Sequence, residues 1–124
     1  MLRKLALPVL SALFIVAAQP ALAQKTGPHG GLLAGKEDHQ TELVVSATEL
    51  AVYLLEHGKP NDTKGVTLKA AIRDAGKTTN VDFVTADEKK MVGKLSNPLG
   101  KGAIVVLTGK DTHGHVISAR YVLN

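Results

Sequence analysis

The sequence predicts an all-β protein, an antiparallel β-sandwich of about seven strands behind a cleaved leader. Apolar side chains recur at every second position in one short run after another. Clusters of Gly, Asn, Asp and Pro separate those runs at regular spacing, and nothing beyond the leader carries a convincing helical period. Together these make the pattern of an immunoglobulin-like sandwich, in which each strand turns one face inward and the other outward. A small barrel is the other closure that the pattern permits.

Residues 1–23 read as a secretory signal. Arg3 and Lys4 supply a short positive region, residues 5–18 an apolar stretch, and Ala21-Leu22-Ala23 a small-x-small cleavage signal before Gln24. Pro8 and Ser11 interrupt the apolar stretch, and Gln19-Pro20 ends it short of the roughly 20 residues that a spanning helix requires. No Cys follows Ala23, so lipid attachment is not indicated. The expected product is a single β-sandwich domain, residues 24–124, periplasmic and without a membrane span.

Within that domain the strands follow in order. Residues 39–45 place His39, Thr41, Leu43 and Val45 on one face and Gln40, Glu42 and Val44 on the other. Residues 49–56 put Leu50, Val52 and Leu54 on one face, and the loop Ser46-Ala47-Thr48-Glu49 makes the two runs a hairpin. Matching the inward sets, Val45 with Leu50 and Leu43 with Val52, carries the register outward until His39 lies opposite Glu56. Gly58-Lys59-Pro60-Asn61-Asp62 is a turn cluster, after which Val66, Leu68, Ala70 and Ile72 form the inward set of a third strand. Ala75-Gly76-Lys77 reverses the chain into residues 79–85, with Val81 and Phe83 inward. Residues 89–96 set Met91, Gly93 and Leu95 on one face, where Gly93 marks a bulge or a close approach of another segment. Residues 103–108 are dense in Val and Ile, as a more fully buried strand would be, and Ile117, Ala119, Tyr121 and Leu123 close the domain.

Composition narrows the function classes. The formal charge of +4 includes Arg3 and Lys4, so after cleavage 13 basic against 11 acidic residues leave +2, and nucleic acid is not expected as a partner. The aromatics beyond residue 23 are Tyr53, Phe83 and Tyr121, too few for a stacking platform. The chain has no Cys, which removes disulfides, thiolate ligands and a Cys nucleophile together. Ser46, Ser96 and Ser118 sit in no Gly-flanked elbow, and Gly30-Gly31 leads into a strand rather than a helix, so neither a hydrolase nor a phosphate loop is indicated. Met91 alone after the leader argues against a thioether Cu(I) site.

The five histidines are what remains. Imidazole nitrogen and carboxylate oxygen suit Zn, Cu(II), Ni or Co, and three such ligands suffice for an open site. One candidate is the hairpin end that gathers His39, Glu56 and His57, with Glu42 nearby on the opposite face and His29 arriving from the amino-terminal segment. If Leu32-Leu33 pairs with residues 39–41, His29 stands roughly 16 Å from His39, five residues along a strand. It joins the cluster only where Gly30-Gly31, which accept positive φ, fold the segment back. The other candidate is His113-Gly114-His115, whose i, i+2 imidazoles point the same way from one strand, with Asp111 as a third ligand. The same side chains also read as strand-end and turn residues bonded to backbone or water, and the residues alone leave both readings open.

The succession His29-Gly30-Gly31, His39 with Glu42-Leu43-Val44, then Tyr53-Leu54, Glu56-His57 and Lys59-Pro60 resembles a small periplasmic domain. That domain occurs alone or at the amino terminus of the adaptor (membrane-fusion) subunits of heavy-metal efflux pumps of the resistance-nodulation-division type. His29, His39 and His57 match positions where the pattern has histidine. Glu56 stands where Asp is expected, Thr41 where an apolar residue is commoner, and the His113-Gly114-His115 tip is no part of it. The likeness is concentrated in the first third of the mature chain, and with no long helical hairpin or lipoyl-like segment following in this sequence, a stand-alone domain rather than an adaptor is the expectation. The resemblance implies a stand-alone, non-catalytic accessory of metal efflux or homeostasis, with an efflux adaptor or pump component as partner. The alternative is a module that binds another envelope protein through its sheet edges, its histidines structural.

Overall fold

The computed structural model describes residues 24–36 and 38–124. The leader expected over residues 1–23, and Glu37, lie outside the described residues. Two-residue alternation is realised as ten strands in two antiparallel sheets, with no helix among the described residues. One sheet runs in the order β1 (Leu32–Lys36), β2 (His39–Val45), β3 (Glu49–Glu56), β8 (Lys90–Lys94), β7 (Val84–Asp87), and the two-residue β4 (Lys59–Pro60) continues the edge of β3 beyond β8. The other runs β10 (Val116–Val122), β9 (Ile104–Lys110), β5 (Thr67–Asp74), β6 (Lys77–Asp82).

The inward sets meet between the sheets. Leu43, Leu50, Val52 and Met91 from one sheet pack in a single buried cluster with Leu68, Ile72, Val105, Leu107 and Tyr121 from the other, and this burial holds a fold that has no disulfide to staple it. The Tyr121 hydroxyl donates to the backbone oxygen of Thr41, tying the two sheets together. Burial pushes that hydroxyl's pKa well up, with the nearby Glu42 charge adding to the effect, which favours its protonated, donating form.

The β2–β3 hairpin has the expected register, Val45 opposite Leu50 and Leu43 opposite Val52. The expected count of about seven strands needs correction to ten. Two of the additions are β1 and β4. The third arises because the run at residues 79–85 is not one strand: it breaks at Phe83, with β6 in one sheet and β7 in the other. Phe83 is buried at this corner and its N–H donates to the oxygen of Leu68 at 3.0 Å. Gly93 of β8 makes room for the crossing, since a Cβ there would lie 2.5 Å from Val81 Cγ1 and 3.3 Å from the Phe83 ring. β1 also pairs differently from the supposed register, with Leu32 opposite Leu43 and Lys36 opposite His39.

Candidate metal site

Where β2 begins and β3 ends, the turn between β9 and β10 stands across from them, and a cleft of about 570 Å³ opens between the two sheets. His39 enters it from β2, Glu56 from β3 and Asp62 from the loop after β4. Asp111, His113 and His115 enter it from the opposite turn. Leu54, Leu55, Val66 and Ile117, buried or half-buried, form its apolar floor, with the exposed Val116 beside them. No Lys or Arg lines it, although the chain as a whole is basic. The two candidate clusters of the sequence, 74 positions apart from His39 to His113, thus face one space.

The turn that carries His113 and His115 is built around Asp111. Its Oδ1 accepts from the backbone N–H groups of His113 and His115, each at 2.8 Å, while the Asp111 N–H donates to the His115 oxygen at 3.0 Å. The N–H of His115 above all holds the Asp111 carboxyl below its ordinary range. Its Oδ2 lies 3.3 Å from His115 Nδ1, and the two imidazoles stand side by side with centroids 6.0 Å apart. Glu56 Oε1 accepts from Asn61 Nδ2 at 3.0 Å. Among the described residues, no three His, Asp or Glu side chains converge tightly enough to enclose one ion in this conformation.

His29 and His57 do not line the cleft. His57 has φ of 51° and, with Gly58 at 82°, forms the two-residue turn between Glu56 and Lys59, the conformation that Asn-Gly usually supplies. Its ring is 72% exposed and its Nδ1 lies 3.8 Å from Asp38 Oδ1. His29 belongs to a separate arrangement on the outer side of the first sheet. Lys25 and Thr26 pair back against Leu33 and Leu32, and the loop between them folds over the fully buried Glu42. Glu42 Oε2 accepts from the backbone N–H groups of His29 and Gly31, and its Oε1 lies 2.8 Å from His29 Nδ1. With the carboxylate ionised and able only to accept, this bond calls for the tautomer with its proton on Nδ1. The imidazole lies flat on Tyr53, centroids 3.6 Å apart and planes 5° from parallel. Gly27 is required there, because a Cβ would meet Glu42 Cδ at 2.4 Å.

Three features of the site escaped the sequence: Asp62 as a lining residue, Glu42 as the partner of His29, and the meeting of His39 with the His113–His115 turn. Glu42 alone left a signal, a carboxylate in mid-strand directly before the apolar run Leu43-Val44-Val45, downstream of a glycine-rich segment. Compared with known protein families, curated proteins and solved structures, the chain matches none.

Proposed function

We propose that this is an exported, immunoglobulin-like domain that binds a divalent transition metal ion in the periplasm and serves metal efflux or homeostasis without catalysing a reaction. What supports the reading most is the lining of the cleft, where three imidazoles and three carboxylates face one space from which every Lys and Arg is excluded. Such a lining attracts a cation and offers it borderline N and O ligands, the donor set of Zn, Cu(II), Ni or Co. His39 and His113 supply ligands from opposite sides, and binding draws the turn toward β2. An efflux adaptor or pump component is the partner that the sequence resemblance suggests.

Calorimetric titration of the purified protein with the four ions at neutral pH tests this. Wild type should bind at least one of them, His39→Ala and His113→Ala should each weaken binding about tenfold or more, the loss of roughly one ligand's free energy, and His57→Ala should bind as wild type does. Heats indistinguishable from buffer for all four ions would end the proposal. The second reading, an envelope interaction module, draws on β7, an edge strand exposed along its whole length with Val84 65% exposed. It predicts partner binding that survives alanine at His39 and His113.

A further inference from the structure

We infer that the cleft receives its metal already held by a small, apolar, neutral chelator, and that the histidines complete the coordination of that cationic complex; the inference rests on the metal-binding reading. Volume is the first observation. An ion with six waters fills about 180 Å³ at the share each water takes in the liquid. The cleft holds about 570 Å³, three times as much and well within the range of small-molecule sites. The composition of the walls is the second. Leu54, Leu55, Val66, Val116 and Ile117 would gain nothing from a bare ion, yet they offer a floor to an organic ligand. The third is the spacing of the donors, for no three of them converge on one point among the described residues. Imidazoles that reach the cleft from its two sides serve a metal that brings most of its ligands with it, because one or two open positions are all they must fill. The three carboxylates of the lining, with no Lys or Arg among them, set the sign of the guest, a net cation.

The experiment compares four titrants on the full protein: Zn chloride, an equimolar Zn–1,10-phenanthroline complex with open positions, the coordinatively saturated tris-phenanthroline complex, and phenanthroline alone. The equimolar complex should bind about tenfold tighter than the ion, the effect of burying one ring's worth of apolar area. The saturated complex and the free chelator should bind weakly or not at all. Replacing Val116, which is 72% exposed, and Ile117 with Ser should abolish the preference while the affinity for the ion alone persists. An ion that binds as tightly as its open complex would overturn the inference and leave the metal reading intact. Equal binding of the saturated complex, or a preference that survives the double Ser variant, would overturn it too. Failure of both ion and open complex would take the metal reading down with it.

Discussion

At Glu42 a carboxylate shut off from solvent accepts from the backbone N–H groups of His29 and Gly31 and from the His29 ring. Each donor loses its partner when the carboxylate is removed, and charge-assisted bonds of this kind are about twice as strong as neutral ones. Glu42→Ala should therefore destabilise the fold by about 3 kcal/mol. For a domain of this size that is a fall of roughly 15 °C in Tm, readable by differential scanning calorimetry. The loss should leave metal affinity at 25 °C unchanged, since Glu42 lies outside the cleft. A change below about 0.5 kcal/mol, the range of ordinary surface substitutions, would show that water replaces the carboxylate at no cost.

Among the elements, the β2–β3 hairpin was readable because Leu43 and Val45 on one strand and Leu50 and Val52 on the other recur at two-residue spacing and its loop fixes the register, so a slip of one residue would have turned Leu43 and Val52 out of the core. The β6–β7 corner was not readable, because Val81 and Phe83 keep the same two-residue spacing through a change of sheet, and only a packing partner, Gly93, distinguishes a corner from a straight strand. Gly93→Ala should cost about 1 to 3 kcal/mol by overpacking that crossing, measured by denaturant unfolding. The β9–β10 turn sets the pH behaviour of the site. Asp111 is held below its ordinary value of 3.8, so what its carboxylate lends the turn is present above that value and lost only as pH falls through the lower folded one. Metal binding releases protons from its ligands, so affinity should fall as the pH is lowered, with the turn still intact. Titrations at several pH values check this, and a loss deferred to below pH 4 would assign the binding to carboxylates instead.

For the whole molecule, the fold class lay open in the sequence while the site lay open only in pieces. Alternation and turn residues are local, so the sandwich follows from them; the meeting of His39 with His113 and His115 depends on two sheets stacking in one orientation, which no local pattern encodes. For the same reason His57, adjacent in sequence to Glu56, turns away at a tight bend, and His29 is fastened to Glu42 beyond the cleft. The central claim is that the ion sits where the two sheets face each other across the cleft, and paramagnetic broadening of backbone amide signals by substoichiometric Cu(II) tests it most directly. The amides of Gln40, Thr41, Thr112, His113 and His115 should broaden together at the first additions, while those of Gly30 and Gly58 stay sharp. Broadening centred on Gly30 or Gly58, or none at all, would contradict it.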